Sequence, residues 1–593
     1  MTVTGYGNYD RHPRVVVPGD GHRLWSGADA FTYLAERLRT GPARVLVVDC
    51  YPGVDVAAVR DGLLAADPGL DVVDVEEAAL EAAELDRLLA DELTGDRVFG
   101  VLSRRRLAQL YHPDRLEHLR RQLAAGGGRT AVVGWGASLV APADALVVLA
   151  DLPRWEIQQR YRAGLGNWRA GNGGEDVLRK YKRGYFVEWR VADEHKRPLL
   201  ERADFLLDTT TSRARLIAGD TLRAGLAAAA SRPFRVVPFF DPGPWGGTWM
   251  ERVLGLEPLD GQQYAWGFDC VPEENSLLLG VDGDVVEVPS QDLVLTHPRE
   301  LLGERTFARF GAEFPIRFDL LDTVGGGNLS LQVHPTTDYI QRTFAMPYTQ
   351  DESYYLLDAE PGARVHLGLR EGVDPARLRE ELEAGQRGEE VDVDALVATF
   401  PARRHDHFLI PAGTVHASGA GSMVLEVSAT PFIFTFKLWD WGRLGLDGRP
   451  RPIHLEHGMA NIDPRRDTAW AARTAVDQTR QVDSGPGWAE ERTGLHELEF
   501  IETRRHRFTG AVDHDTRGTV HVLNLVEGEE VVVDSPEDAF PAVVVHYAET
   551  FIVPAAVGRY RVTPSGEGPW ATLRASVRGT DRWPADPAGP ATS

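Results

Sequence analysis

The sequence has few cysteines, no long apolar run and no apolar leader. Only Cys50 and Cys270 occur among 593 residues. Two thiols are too few for a disulfide framework or a four-thiolate zinc site, and they suit a reducing compartment. The opening residues, MTVTGYGNYDRHPR, lack the apolar core of a signal peptide. No stretch reaches about 18 uninterrupted apolar residues. We therefore expect a cytoplasmic protein that does not enter a membrane.

Positive charge is also in short supply. The chain has 88 acidic against 64 Lys and Arg residues, a formal net charge of −24. This field repels nucleic acid and anionic membranes, so we expect neither as a partner. An anionic substrate would need a local cluster of Arg or Lys. Hydrophobic residues make up 43% of the chain, which together with its length predicts several globular domains.

The first part of the chain predicts an α/β domain. Residues 1–230 contain apolar β-branched runs at 44–49, 129–134 and 144–151, which are typical of buried parallel strands. Residues 74–93 have the pattern of one amphipathic helix between the first two runs. The alternation indicates βαβ units.

The composition then changes. Residues 231–476 have short strands, Gly/Pro turns and aromatics, with a helical insertion at 374–390, which predicts an all-β domain. Residues 477–494 are polar and are expected to be a linker. A second run of short strands predicts a small C-terminal β-domain at 495–580, and residues 581–593 are expected to be a disordered tail. The oligomeric state is not specified by the sequence.

The segment after the first predicted strand, 49–59, occupies the place of a phosphate-binding loop but lacks its chemistry. Aligned on its Pro-Gly pair, it has Asp55 in place of the late glycine, Val56 in place of the lysine and Ala57 in place of the hydroxyl residue. Asp55 would put a negative charge at the anion site. The region nevertheless resembles a P-loop kinase of the nucleoside or uridine kinase type.

Residues 144–171 are similar to a kinase strand followed by a lid helix rich in arginine. The arginines concerned are Arg154, Arg160, Arg162 and Arg169. The resemblance implies a degenerate, pseudokinase-like domain kept as a scaffold or regulator. Two alternatives remain for the arginines: an anion site, or a solvated helix face.

Polar residues with metal-binding chemistry occur in the central region. Gln332 and His334 are two apart in a predicted strand, so both side chains lie on one face. Glu352 heads another strand-like run, and His416 follows the turn in FLIPAGTVHA. Nitrogen and oxygen ligands without sulfur fit zinc with an open position for water or substrate. The alternative is a set of ordinary core or surface histidines.

Several motifs in this region appear together. They are PFFDPGPWGGTW (238–249), NLSLQVHP (328–335), DESYYLL (351–357), IPAGTVHA (410–417) and WDWGR (439–443). In this order and spacing the chain, from about 236 to 460, resembles type I phosphomannose isomerase (mannose-6-phosphate isomerase). The resemblance implies a cupin (jelly-roll) domain, with the C-terminal β-domain as a cupin-like relative.

The resemblance also implies a function and a ligand set. One Zn²⁺ per chain would be held by Gln332, His334, Glu352 and His416. The substrate would be a hexose 6-phosphate, with mannose 6-phosphate and fructose 6-phosphate interconverted through an enediol.

Such a reaction needs a cation for the phosphate. Arg443 and Lys437 are the candidates, because they follow the metal-bearing strands closely and because Arg and Lys both bind phosphate. For Arg443 the alternative is a structural ion pair with Asp440. The stretch 428–443 departs from the family pattern: apolar residues replace polar ones, and a lysine stands where an arginine is expected. Substrate identity is therefore open.

The reaction also needs a base that moves a proton between C1 and C2. Glu426 is the candidate, with His405 and His407 as alternates. Three alternatives to the mannose-6-phosphate isomerase remain. They are an isomerase of another sugar phosphate, a metal-binding cupin that senses a sugar phosphate without turnover, and a bifunctional kinase–isomerase, which the residues at 55–57 oppose.

Overall fold

A computed structural model describes residues 7–429, 433–444, 451, 453–494, 496–566 and 568–579. The chain forms an N-terminal α/β unit, a central β-sandwich and a C-terminal β unit, packed against one another. The described helices include none that is both long and apolar enough to cross a bilayer.

The N-terminal unit is built on a mixed sheet in the order β2-β8-β7-β6-β3-β5-β4. Its strands are β1 (Arg14–Val16), β2 (Leu24–Ser26), β3 (Val45–Cys50), β4 (Asp71–Asp74), β5 (Thr130–Gly134), β6 (Leu146–Asp151), β7 (Phe205–Asp208) and β8 (Arg215–Ala218). Strands β4, β5, β3, β6 and β7 are parallel. Strand β8 is antiparallel to β7, and β2 is antiparallel to β8, so that β8 alone opposes the direction of the other six strands. Strand β1 pairs instead with the central unit.

Helices cover both faces of this sheet. They are α1 (Ala28–Thr40), α2 (Val56–Ala66), α3 (Ala82–Leu88), α4 (Ala90–Leu93), α5 (Pro113–Ala125), α6 (Arg154–Arg162), α7 (Val177–Arg183), α8 (Trp189–Arg202) and α9 (Gly219–Ala230). Every residue of β3 is buried, as expected for a central parallel strand. The α/β prediction is confirmed.

The single helix predicted for 74–93 is wrong. The segment contains the end of β4, a 3₁₀ turn at Val75–Ala78, and the short helices α3 and α4. Asp74 accepts a hydrogen bond from the Glu76 amide at 2.9 Å and so starts the turn. A capping box between Glu81 and Glu84 then starts a new helix, and these local caps override the helical periodicity.

The central unit consists of two facing sheets, in the orders β18-β15-β20-β13-β10-β9 and β17-β16-β19-β14-β21. Its strands are β9 (Phe239–Gly247), β10 (Tyr264–Cys270), β11 (Ser276–Val281), β12 (Asp284–Pro289), β13 (Ile316–Asp322), β14 (Leu331–Val333), β15 (Glu352–Ala359), β16 (Arg364–Leu369), β17 (Val397–Pro401), β18 (His407–Ile410), β19 (His416–Ser418), β20 (Ser422–Ala429) and β21 (Phe436–Trp439). Strands β11 and β12 form a separate small sheet with β1.

Helices connect these strands and lie outside the sandwich. They are α10 (Trp249–Leu254), α11 (Ser290–Thr296), α12 (Pro298–Leu302), α13 (Glu304–Phe310), α14 (Thr337–Phe344), α15 (Pro375–Gln386), α16 (Val393–Leu396), α17 (Leu455–Met459) and α18 (Thr468–Thr474). The all-β prediction with a helical insertion is confirmed, since α15 lies within the predicted 374–390.

The C-terminal unit has two further sheets, in the orders β22-β23-β24-β31-β26-β29 and β25-β30-β27-β28. Its strands are β22 (Arg480–Gly485), β23 (Trp488–Gly494), β24 (Ile501–Phe508), β25 (Val512–Asp515), β26 (His521–Glu527), β27 (Glu530–Asp534), β28 (Val543–His546), β29 (Thr550–Val553), β30 (Arg559–Pro564) and β31 (Trp570–Val577). The expected tail, 581–593, lies outside the described residues.

The linker predicted at 477–494 is wrong, because this segment is a β-hairpin that extends the first of these sheets. Strand β22 is the edge strand, and five of its six residues are exposed. An exposed edge strand needs no apolar alternation, so the hairpin carries no hydrophobic pattern. The hairpin therefore belongs to the C-terminal β unit.

One buried arginine joins all three parts of the chain. Arg235 Nη1 lies 2.8 Å from the Glu549 carboxylate of the C-terminal unit, and its Nη2 lies 3.5 Å from Asp269 of the central unit. Nη1 also donates to the carbonyl of Asp10, in the N-terminal segment, at 2.8 Å. Tyr9 donates to Asp269 at 2.5 Å. The three charged side chains are at most 3% exposed, so each needs its partners.

We predict that Arg235→Met lowers the free energy of unfolding by about 3–5 kcal/mol, because it leaves two buried carboxylates without their cation. The matched control is Arg299→Met, whose ion pair with Glu304 is exposed and contributes about 1 kcal/mol or less. The measurement is chemical denaturation followed by circular dichroism. Equal destabilisation by the two substitutions would contradict the prediction.

Candidate metal centre and adjoining cavity

The two sheets of the sandwich bring the predicted metal-binding residues together. Gln332 lies on β14 directly opposite His416, the first residue of β19, in one sheet. His334 follows β14, and Glu352 is the first residue of β15 in the facing sheet. The four side chains therefore meet inside the sandwich, although they span 85 positions of the sequence.

The cluster is compact and buried. Glu352 Oε1 lies 2.8 Å from His416 Nε2, and Glu352 Oε2 lies 3.0 Å from His334 Nε2. Gln332 Nε2 lies 3.1 Å from His416 Nε2. His334, Glu352 and His416 offer ligand atoms within 4.8 Å of one another, and their side chains are at most 1% exposed.

The backbone fixes the tautomer of both imidazoles. His334 Nδ1 lies 3.1 Å from the Phe434 carbonyl, and His416 Nδ1 lies 2.8 Å from the Thr414 carbonyl. A carbonyl oxygen only accepts, so both Nδ1 atoms are donors and, in neutral rings, both Nε2 atoms present lone pairs. Those lone pairs face the carboxylate of Glu352, which also only accepts when ionised. This set of acceptors fits a cation at its centre.

The donor set also fits a specific class of metal. Two imidazole nitrogens and a carboxylate, each oriented by a second hydrogen bond, are typical of a catalytic zinc site. The Gln332 amide can present either its nitrogen or its oxygen at this position, and the oxygen is the atom that could bind a metal. Sulfur is absent from this group of residues.

The electrostatics agree with this geometry. Burial alone would raise the pKa of Glu352, but the His334 and His416 imidazoles outweigh it and hold that pKa far below its usual value. Burial likewise opposes protonation of His334, and the Glu352 carboxylate overrides it and raises the pKa of that histidine. The carboxylate is therefore ionised and ready to bind a cation.

A cavity of about 250 Å³ adjoins the cluster. Gln332 and Glu352 contribute to its wall, opposite Trp245 and Trp266, whose rings meet edge to face at 4.8 Å. The remaining polar lining comes from Arg317, Ser330, Gln350, Glu426, Thr435, Lys437 and Arg451. The cavity thus combines the candidate metal centre with a carboxylate and cations.

Asp440 holds the cations beside this cavity. Its carboxylate lies 2.8 Å from Arg443 Nη1, 3.0 Å from Arg451 Nη1 and 3.6 Å from Lys437 Nζ. Three cations around one carboxylate leave an excess of positive charge. Burial lowers the pKa of Lys437, and the neighbouring Arg451 adds to that effect while Asp440 opposes it.

Arg443 differs in position from the other two cations. Lys437 and Arg451 line the cavity, whereas Arg443 pairs with Asp440 and donates to the Asn328 carbonyl. The ion-pair alternative from the sequence therefore describes Arg443 as the structure places it. Arg451, twelve residues after the last strand of the sandwich, was not anticipated from the sequence.

Glu426 lines the same cavity on β20. Arg317 Nη1 donates to its carboxylate at 3.4 Å. Burial raises the pKa of Glu426 to about 7, with a further contribution from the Glu352 carboxylate that exceeds the opposing effect of Arg317. A carboxylate with a pKa near neutrality suits general acid–base chemistry.

The alternate bases lie elsewhere. His405 Nδ1 is 2.8 Å from the Tyr355 hydroxyl, and the ring faces Glu527 of the C-terminal unit. His407 is buried at the same junction, where β18 packs on β23, and neither histidine is among the residues described as lining the cavity. Burial lowers the pKa of His407 to about 3.

The N-terminal unit reaches the second layer around the candidate metal centre. Phe434, whose carbonyl holds His334, packs against Phe186 at a ring distance of 5.8 Å and against Phe99 at 6.1 Å. Phe99 also meets Phe436 on β21 edge to face at 5.1 Å. A histidine ligand is thus supported by packing from another unit of the chain.

Comparisons with known proteins place this geometry in context. Mannose-6-phosphate isomerase of Streptococcus mutans serotype c is 29% identical over 250 residues, which are 40% of this chain and 72% of the relative. A mannose-6-phosphate isomerase of Bacillus subtilis is 27% identical over 337 residues, 56% of this chain and 96% of the relative. The chain is therefore homologous to mannose-6-phosphate isomerases. The predicted resemblance is confirmed over these ranges, and the relatives support an enzyme of the isomerase class.

Two solved structures and one family model were also similar to the chain. Mannose 6-phosphate isomerase from Bacillus subtilis covers 58% of this chain and 99% of its own, with 18% identity and a TM-score of 0.48. A phosphomannose isomerase variant from Salmonella typhimurium covers 58% and 99%, with 17% identity and a TM-score of 0.46. Residues 30–231 match a family described as a domain of unknown function, DUF8485. The predicted kinase resemblance is not confirmed by these matches.

We predict that Glu352→Ala or His416→Ala lowers the affinity for zinc by more than about 100-fold. Each substitution removes a proposed ligand and the contacts by which it orients the other two. The measurement is zinc content by mass spectrometry after dialysis against a weak chelator. The matched control is His366→Gln, on the strand paired with β19. Equal zinc content in all three variants would show that the cluster is not the metal site.

Proposed function

We propose that the central unit is a zinc-dependent aldose–ketose isomerase that interconverts mannose 6-phosphate and fructose 6-phosphate. The observation that carries the proposal is the cavity that joins the His334–Glu352–His416 cluster to Glu426 and to the cations at Asp440. Homology to mannose-6-phosphate isomerases supports the reaction class and the choice of substrate. We take the metal to be zinc from the donor set, one ion per chain.

The residues can be given roles in this reaction. A bound zinc ion would supply Lewis-acid chemistry at the sugar carbonyl or hydroxyls. Lys437 and Arg451 would hold the phosphate, and Arg443 would position Asp440 and the segment before β14. Glu426 would take the proton from one of C1 and C2 and return it to the other, while a second proton passes between O1 and O2 in the enediol. Both protons return to the sugar, so the reaction needs no external oxidant or reductant.

The cavity walls would assist by excluding water. Trp245, Trp266 and Phe268 contribute apolar surface to the cavity, and Arg317 keeps the Glu426 carboxylate in place. Removing water strengthens the electrostatic interactions at the developing enediolate. The cavity volume of about 250 Å³ matches one compact ligand rather than a polymer.

A second candidate is a metal-binding protein that binds a sugar phosphate without turnover. The specific observation in its favour is the sharing of Lys437 and Arg451 with Asp440, which reduces the positive charge available to a phosphate. A zinc-loaded protein that binds mannose 6-phosphate but does not convert it would support this candidate. An isomerase of a different sugar phosphate would be recognised by turnover of that substrate alone.

The deciding experiment is a coupled assay of mannose 6-phosphate conversion to fructose 6-phosphate with full-length protein. Turnover should be lost with a strong chelator and restored by added zinc. Fructose 6-phosphate consumption should follow the same pattern. Absence of turnover by the zinc-loaded protein on any hexose phosphate would reject the isomerase.

We predict that Glu426→Gln lowers kcat by about 10²–10⁴-fold, because the amide cannot accept the proton. Zinc content and KM should change little, since neither depends on this carboxylate as a base. Glu360→Gln, outside the sandwich cavity, serves as the control. An unchanged kcat would remove Glu426 from the role of base.

We predict that Lys437→Ala raises KM for the sugar phosphate at least about tenfold, with a smaller effect on kcat, because a point charge on the phosphate is lost. Lys437→Arg should restore most of the binding. The measurement is steady-state kinetics with folding checked by thermal denaturation. A KM equal to that of the wild type would exclude Lys437 from phosphate binding.

A further inference from the structure

A cavity of the N-terminal unit lies at the carboxyl ends of its parallel strands. It has a volume of about 800 Å³ and is bordered by the loop after β3, the turn after β4, Trp135 after β5 and the segment after β7. Ligands of open α/β sheets bind at this edge, where the strand order reverses. We call this cavity the N-terminal pocket.

The cationic side chains among the described lining residues of the pocket are already engaged by other protein groups. Two arginines are among its described lining residues, and both already donate to the protein. Arg160 pairs with Glu156 at 2.9 Å and donates to the Gly53 carbonyl at 2.9 Å. Arg169 donates to the Glu76 carbonyl at 2.9 Å. Both arginines therefore connect neighbouring loops through their hydrogen bonds.

The remaining two arginines of the predicted lid are also engaged. Arg154 pairs with Asp193, and Arg162 pairs with Asp241 at 2.6 Å. Asp55 meanwhile occupies the N-terminus of α2, where it accepts a hydrogen bond from the Ala58 amide at 3.0 Å. A carboxylate at this helix end repels an anion and satisfies the amides that would otherwise bind it.

The rest of the lining suits an uncharged ring. Aromatic side chains of Phe31, Tyr51, Trp135 and Trp168 line the pocket. The indole N–H of Trp135, a residue only 2% exposed, has no acceptor among the described residues. The half-buried Glu76 carboxylate and the hydroxyls at 209–212 can accept from ligand donors.

We propose that the N-terminal pocket binds an uncharged ring compound that both donates and accepts hydrogen bonds, and that it excludes the phosphorylated form of the same compound. A free sugar and a nucleoside share this chemistry. The aromatic walls would pack on the ring, Glu76 would accept from its O–H or N–H groups, and Asp55 would reject a phosphate. The proposal does not depend on the function of the central unit.

The test is isothermal titration of full-length protein with mannose, glucose, adenosine and uridine, and with the 6-phosphates of the two sugars and the monophosphates of the two nucleosides. Binding to the pocket is the part lost in Glu76→Gln and kept in Glu117→Gln, a control on the exposed face of α5. We expect at least one uncharged compound to bind, and its phosphorylated form to bind at least about tenfold more weakly. Whether the compound that binds is a sugar or a nucleoside shows which of these two classes the pocket recognises.

A second variant tests the basis of the exclusion. Asp55→Asn keeps the helix cap but removes its charge. We expect it to raise the affinity for the monophosphates about tenfold and to leave the affinity for uncharged compounds unchanged. The proposal is overturned if no uncharged compound shows binding that depends on Glu76 at millimolar concentration, or if monophosphates bind the wild type as tightly as the uncharged compounds.

Discussion

The Glu352 carboxylate, placed between the Nε2 atoms of His334 and His416 inside the sandwich, is the constraint on which the account of this protein depends. Each imidazole donates a hydrogen bond from Nδ1 to a backbone carbonyl, so in neutral rings both Nε2 atoms and the carboxylate are acceptors that face one another in a buried site. An uncompensated group of this kind is costly when buried. A metal ion bound between these three groups, as we propose, would satisfy all of them at once.

The surroundings of the site extend this logic to the whole chain. Asp440 gathers cations on one side of the cavity, and Arg317 holds Glu426 on another. Packing from the N-terminal unit onto Phe434 supports the carbonyl that orients His334. Arg235 ties the same three units together at a distance from the cavity. The isomerase-like unit is therefore packed into a larger assembly of one chain.

Much of the candidate metal centre could be predicted from short-range sequence patterns, whereas the arrangement of the cations beside it could not. Period-2 spacing put Gln332 and His334 on one face, and the family resemblance joined them with the candidates Glu352 and His416 into one ligand set. Arg451 was missed because sequence spacing does not show that tertiary folding brings this residue next to Asp440. For Arg443, the alternatives were phosphate binding and an ion pair with Asp440, and sequence spacing does not distinguish between them. Similarly, the buried strands of the N-terminal sheet were evident, but the exposed strand β22 carried no pattern.

The most direct test of the central claim is anomalous X-ray diffraction from crystals of the zinc-loaded protein, recorded on both sides of the zinc absorption edge. The account predicts one strong anomalous peak per chain, at about 2.0–2.2 Å from His334 Nε2, His416 Nε2 and a Glu352 oxygen. A peak at another group of residues, or none between these three side chains, would contradict it.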